Sequence, residues 1–228
     1  MANKDTIKYI IGIDEVGRGP LAGPVAVCAF LIKDRKFLDE QFAIGLAYGK
    51  LPKLKDSKKL SKKQREEWFE YLKVAKAEGF CDYSVSFVSP ENIDKFGIAK
   101  CIQKALNESL QKVTSQDSSN SSRFTLKGSD AAQNFKNLAS FGVYLDGGLH
   151  APAQYVNQET IIRGDELHPV ISLASIVAKV TRDAVMTKYA KEYPEYGFER
   201  HAGYGTKAHY EAIKTHGQTP IHRKTFIH

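Results

Sequence analysis

Apolar and polar positions fall in blocks that predict alternating strands and helices. Residues 9–13 (Tyr-Ile-Ile-Gly-Ile) and 25–32 (Val-Ala-Val-Cys-Ala-Phe-Leu-Ile) are short apolar runs of strand length, each suited to burial on both faces. Ser61-Lys62-Lys63-Gln64 has the spacing of a capping box, and Trp68, Leu72 and Val74 follow in an amphipathic helix to about residue 76. Residues 81–88 alternate as a strand, with Tyr83, Val85 and Phe87 on one face. Residues 89–94 then turn into a helix over about 98–113, apolar at Ile98, Ile102, Ala105 and Leu110. A strand over 141–145 ends in Asp146-Gly147-Gly148, and a short one over 159–163 is closed by Gly164-Asp165. A long helix follows over about 170–191, with Leu173, Ile176, Val177, Val180, Val185 and Tyr189 apolar. Beyond Pro194 the chain turns polar, aromatic and basic, with a last helix over about 208–216.

One stretch breaks the pattern. Residues 114–133 are rich in Ser, Asp, Asn and Gln and hold almost nothing to bury, so 114–138 reads as a polar loop inserted in the domain. At 228 residues the chain fits one ordinary domain, 1–228. No apolar run approaches the roughly 20 residues that span a membrane, and the N-terminus lacks a signal-peptide pattern. Cys28, Cys81 and Cys101 are widely spaced, which argues against a disulfide framework or zinc site and for reduced thiols in a cytoplasmic protein. The net charge of +7 is modest, but residues 50–63 hold seven lysines and one aspartate, a run that suits either a solvated face or phosphate contacts.

The candidate chemistry lies where strands end. Asp14-Glu15, Asp146 and Asp165 each follow an apolar run and adjoin glycine-rich sequence. Any one of them fits an ordinary turn, since Asp and Gly are common turn formers. Together, on neighbouring strands, they would form an acidic cluster whose repulsion a hard cation such as Mg²⁺ or Mn²⁺ relieves. Two such ions about 4 Å apart support in-line phosphoryl displacement. Asp14 and Glu15 point to opposite faces of a regular strand, so Asp14 is the stronger candidate and Glu15 contributes from the side. Asp183 lies within a helix, four residues after Lys179, and is assigned to that ion pair. The loop between the first two strands, with Gly17, Arg18, Gly19, Pro20, Gly23 and Pro24, offers bare backbone N–H groups to an anion or hydroxyl.

Asp14-Glu15-Val16-Gly17-Arg18-Gly19-Pro20-Leu21-Ala22-Gly23-Pro24-Val25 resembles the signature of the type 2 ribonucleases H, the ribonuclease HII family. The similarity continues through Asp56-Ser57-Lys58-Lys59-Leu60-Ser61, Asp146-Gly147, Gly164-Asp165, Ala174 to Asp183, Tyr196-Gly197-Phe198, His201 to Thr206 and His222-Arg223-Lys224-Thr225-Phe226. It runs in order from residue 9 to the C-terminus, missing chiefly the polar loop.

The resemblance implies an RNase H-like α/β fold: a mixed five-stranded sheet flanked by helices, with a helical C-terminal extension from about 193 to 228 that binds substrate. It implies a hydrolase that cleaves RNA in RNA–DNA hybrids and incises 5′ to single ribonucleotides in duplex DNA, leaving 3′-hydroxyl and 5′-phosphate ends, as in ribonucleotide and primer removal. Asp14, Glu15, Asp146 and Asp165 would be the catalytic, metal-binding acids, holding two Mg²⁺ or Mn²⁺ ions in the substrate complex. Gly17, Arg18 and Gly19 would contact the ribose 2′-hydroxyl, Tyr204 would stack on the sugar of the following deoxynucleotide, and Lys58 would meet a phosphate. The expected protein is monomeric and cytoplasmic. His201 and His209 are read as structural or phosphate-adjacent, and Arg182 as a helix-surface partner for an acid. Two features depart from the family: the opening His168-Pro169-Val170-Ile171-Ser172 lacks the usual alanine-rich start, and the 114–138 insertion is long. A catalytically dead hybrid-binding module and a scaffolding subunit are the rival readings.

Overall fold

The computed structural model describes residues 7–34, 51–115 and 137–227. Strand β1 (Tyr9–Val16) pairs antiparallel with β2 (Val25–Ile32), and β2 pairs antiparallel with β3 (Cys81–Val88). On its other side β1 runs parallel to β4 (Phe141–Asp146), which runs parallel to β5 (Gln158–Ile161). The result is a mixed five-stranded sheet in the order β3-β2-β1-β4-β5.

Helices cover both faces, which explains why β2 is apolar at every position and wholly buried. Cys101, Ile102, Ala105, Leu106 and Leu110 of α3 (Ile98–Thr114) pack on Ile11, Ile13, Val25 and Val27. On the opposite face, Trp68 and Leu72 of α1 (Lys62–Ala77) join Val170 to Ala178 of α5 (Pro169–Glu192) against Cys28, Phe30 and Ile32. Helix α5 presses so closely on β1 that a Cβ on Gly12 would come within 2.3 Å of the Val170 carbonyl oxygen. That contact fixes α5 against the strand carrying Asp14.

The capping box expected at Ser61 and Gln64 is present, with both reciprocal bonds made. Three local expectations are corrected. Val74 is 55% exposed, and Ala75, one position on, takes the buried place. Residues 89–94 are not a simple turn: Ser89 caps a separate helix, α2 (Pro90–Phe96), which Gly97 ends with a positive φ. The last strand stops at Ile161; Arg163 adopts a left-handed conformation and Gly164–Leu167 form a short helix, α4. Asp165 therefore lies in a helical first turn rather than at a strand end.

The polar insertion expected over 114–138 lies mostly outside the described residues. At its edges, Thr114 completes α3, buried, with its hydroxyl 3.0 Å from that of Tyr155, and Leu138 opens a 3-10 turn before β4. The C-terminal part contains α6 (Phe198–His201), α7 (Lys207–His216) and a 3-10 turn at Lys224–Phe226. Tyr196, Phe198 and Ile221 of this part form a small apolar cluster with Met186 of α5 and Ala22 of the β1–β2 loop.

Candidate active site

Parallel pairing of β1 with β4 decides where the acids meet. The register matches Ile13 with Leu145, so the next rung sets Asp14 beside Asp146. Asp14 is buried beneath α5, where the Ser175 hydroxyl bonds its carboxylate. Ser175 and Ser172 are the polar positions of an otherwise apolar helix face. The Ser172 hydroxyl donates to the Asp165 carbonyl (2.6 Å), and Ser175 Oγ lies 2.7 Å from Ser57 Oγ. Sequence reasoning passed over both serines, although two hydroxyls three residues apart inside an apolar run were the available signal.

Asp146 holds Asp165 in place. Its Oδ1 accepts the Gly164 N–H (2.7 Å), and the Asp165 N–H also bonds its carboxylate. Asp146 thus caps α4, whose own N-cap, Arg163, makes no side-chain cap. Across the cleft, Asp56 caps the 3-10 turn Ser57–Lys59 and so presents Lys58, whose Nζ lies 2.9 Å from Asp165 Oδ2. Asp165 is buried, whereas the Lys58 side chain is 78% exposed and reaches inward from solvent. Lys59 similarly pairs with Glu166 at 2.6 Å. These two lysines of the basic run are therefore docked on the protein's own acids.

Glu15 begins on the opposite face, as strand alternation requires, yet its carboxylate still feels that of Asp146. Arg18 Nη1 lies 3.7 Å from Glu15 Oε1, while Oε2 is buried with no hydrogen-bond partner. Burial raises the Asp14 carboxyl well above its ordinary range, and Glu15, Asp146 and Asp165 push it further. Burial likewise raises Glu15 and Asp146, with repulsion from Asp146 and Asp165 respectively adding to it. An all-oxygen donor set that repels itself, with one buried oxygen left unpartnered, fits a hard divalent cation. Among the described residues, no three such side chains are already gathered into a metal cage. The Lys58 ammonium at Asp165 and the Arg18 guanidinium at Glu15 bring positive charge to the cluster.

The glycine loop borders this cluster. Gly17 is buried with φ +86°, and a Cβ there would strike Arg182 Nε at 2.3 Å. Gly19 has no such need, since nothing lies within 4 Å of a Cβ built on it and its φ is not positive. Tyr204 stands 43% exposed beside a groove of about 320 Å³ lined by Lys62, Arg65, Lys179 and Arg200. Its carbonyl is held from below. The Thr219 N–H donates to His222 Nδ1 (2.9 Å), which leaves the His222 proton on Nε2, 3.1 Å from His209 Nε2. His209 must then carry its proton on Nδ1, 2.9 Å from the Tyr204 carbonyl oxygen. Burial lowers both rings, His222 to about 4, so the relay is neutral at physiological pH. His209 is structural, and His201 Nε2 meets the Tyr196 carbonyl at 2.8 Å.

Two further readings are settled by contacts. Lys179 Nζ and Asp183 Oδ1 lie 2.8 Å apart, the expected helix pair. Arg182 is no surface partner for an acid: it is fully buried and donates to the carbonyls of Pro24, Ala202 and Ala22. The unusual start of α5 also packs, with the His168 ring stacked on Tyr144 at 4.3 Å.

A family model described as Ribonuclease HII matches residues 11–228. The ribonuclease HII of Endomicrobium trichonymphae is 41% identical, across 95% of this chain and 84% of that protein. Among solved structures, the ribonuclease H2 of Pyrococcus horikoshii superposes with a TM-score of 0.60 at 26% identity, over 95% of this chain and 93% of the other. The RNase HII of Archaeoglobus fulgidus, solved in complex with PCNA, shares the fold with a TM-score of 0.65 at 24% identity, over 96% of each chain.

Proposed function

The chain belongs to the ribonuclease HII family, hydrolytic nucleases acting on RNA–DNA hybrids, and from that premise we propose that it cuts 5′ to ribonucleotides, single ones in duplex DNA included, leaving 3′-hydroxyl and 5′-phosphate ends. In this reading Asp14, Glu15, Asp146 and Asp165 are the catalytic acids and hold Mg²⁺ or Mn²⁺. The observation that carries it is the meeting of acids from three separated chain segments at one end of the sheet, where Glu15, Asp146 and Asp165 raise the proton affinity of Asp14 and Asp165 raises that of Asp146. Two divalent ions, when bound, supply an activated water and stabilise the leaving oxygen.

The chain's own residues supply the rest. Asp14 and Asp146 are held in register by β1 and β4, so their carboxylates need little ordering on binding. Gly17, Arg18 and Gly19 offer backbone donors to the ribose 2′-hydroxyl, a group DNA lacks. Tyr204 presents an exposed ring for a sugar to stack on. Lys58, mostly exposed and already facing the acids, is placed to take a phosphate oxygen once its charge is no longer needed by Asp165. Residues from about 193 onward form the substrate-binding extension, and exposed basic residues there and near Lys62 hold the duplex in a salt-dependent way.

We further read the protein as a cytoplasmic monomer of a single domain. Its three cysteines are free and buried, and among the described residues no helix is long and apolar enough to cross a membrane. The decisive experiment incubates the protein with a duplex carrying one ribonucleotide, titrates Mg²⁺ and Mn²⁺ separately, and maps the ends. Nicking 5′ to the ribonucleotide, dependent on either ion, is expected. Metal-independent cutting, or binding without any cutting, refutes the reading.

A further inference from the structure

We propose that Arg223 is the positioning residue that aims the backbone donors of the Gly17-Arg18-Gly19 loop at the ribose, and so sets discrimination of RNA from DNA. The proposal rests on reading that loop as the ribose contact. Arg223 is fully buried, and among the described residues no carboxylate lies within ion-pair distance of it. Its guanidinium is spent instead on three carbonyls of one loop: Nη2 donates to Gly17 (2.7 Å), Nη1 to Arg18 (3.0 Å) and Nε to Gly23 (2.9 Å).

Peptide geometry converts these bonds into an orientation. In a planar trans peptide, C=O and N–H point in opposite directions. With the Gly17 and Arg18 carbonyls both turned inward to one guanidinium, the N–H groups of Arg18 and Gly19 both turn outward. Successive N–H groups on one side form a concave donor pair suited to an oxygen ligand. Neither N–H has an acceptor among the described residues, and open space lies beyond Gly19. A lysine could not do the same, because one ammonium cannot span three carbonyls in the fixed fork of a guanidinium.

Backbone pairing docks the C-terminal segment on the loop. Arg223 N–H donates to Leu21 (2.7 Å), Gly23 N–H donates to Ile221 (2.9 Å), and Ala22 and His222 form a bridge. From outside, Asp94 anchors the segment by accepting from the N–H groups of Lys224 and Thr225 and from the Thr225 hydroxyl. The neighbouring His222 ends the relay under Tyr204, so this short segment reaches both candidate recognition loops.

The test compares binding of two duplexes in EDTA, one all-deoxy and one with a single ribonucleotide, by wild type and Arg223→Lys. Wild type should prefer the ribonucleotide. In Arg223→Lys that preference should fall about tenfold, the equivalent of one well-made hydrogen bond, with all-deoxy binding unchanged within about twofold. Asp94→Ala, which frees the segment from the surface and leaves the buried guanidinium in place, should lower the preference about threefold; it carries the test if Arg223→Lys shows no cooperative melt. An undiminished preference in the folded variants, or equal weakening on both duplexes, overturns the proposal. A wild type without preference overturns the reading of the loop and the proposal together.

Discussion

Arg182 and Arg223 on one side, and Asp14, Asp146 and Asp165 on the other, are charges withdrawn from water within the same end of the molecule. Every guanidinium nitrogen of the two arginines donates to a carbonyl, six carbonyls in all, on the glycine loop or the loop before Tyr204. Burial and the charge of Arg182 lower Arg223 to about 9, which still leaves it protonated at neutral pH. The acids are undersupplied. A lysine and a few N–H and hydroxyl donors serve them, the proton affinities of Asp14 and Asp146 rise, and Glu15 Oε2 has no partner. Unmet negative charge beside hydrogen-bonded positive charge separates the proposed cation site from the scaffold that holds the loops.

The sharpest way to break this contrast is Asp14→Asn. Loss of activity should reach about 10³-fold or more, roughly 4 kcal/mol of barrier, as measured by single-ribonucleotide nicking. Metal-free stability should move the other way. A carboxyl whose folded affinity for protons is raised contributes stability below its unfolded pKa and loses it as pH rises, so ionised Asp14 is a liability at neutral pH. A higher melting temperature in EDTA is expected; a lower one would count against the cluster being undersupplied.

Arg182→Met tests the opposite pole. Three buried carbonyls lose their donor, which should cost at least about 3 kcal/mol in urea unfolding. A loss below about 1 kcal/mol would mean that water or other donors replace the guanidinium freely.

The histidine relay gives a pH dependence of opposite sign to that of Asp14. His222 falls from 6.5 unfolded to about 4 folded, so its contribution is complete above pH 6.5 and drains away down to pH 4. About 3 kcal/mol at most is at stake, read as the fall in unfolding free energy across that window. His222→Gln should flatten the slope, and an unchanged slope would remove His222 as its source.

Gly19→Ala should produce the smallest change and the most selective one. Nothing in the protein meets the added methyl, so stability should hold or rise by up to about 1 kcal/mol. Cutting should nonetheless drop about tenfold, because the methyl enters the space assigned to the ribose. Full activity would remove Gly19 from the contact.

Much of this molecule was legible as pattern. Apolar runs marked β2 to its ends and most of β1, and alternation marked β3. The capping box placed α1, and the spacing of four acids pointed to one cluster. Periodicity failed where local signals compete. Gln158 to Asp165 contains too few apolar residues to separate strand from helix, so Asp165 was misplaced onto a strand end. Val74 and Ala75 show the same limit: a one-residue shift reverses inside and outside, and residue type alone favoured the wrong one. The pairing of Lys58 and Lys59, read as part of a solvated face or as phosphate contacts, was hidden because their acids lie 107 positions away along the chain.

Local composition, then, determined the strands, most helices and the chemical type of the site, because backbone preference and face burial act over a few residues. Tertiary structure alone decided which acids share a field, that Asp146 caps the helix of Asp165, and that Arg182 and Arg223 turn inward. Long polar side chains go to whichever unpaired groups the fold brings within reach. For Arg223 those groups are carbonyls some 200 residues earlier in the chain, the separation from Gly23, a distance over which no sequence pattern extends.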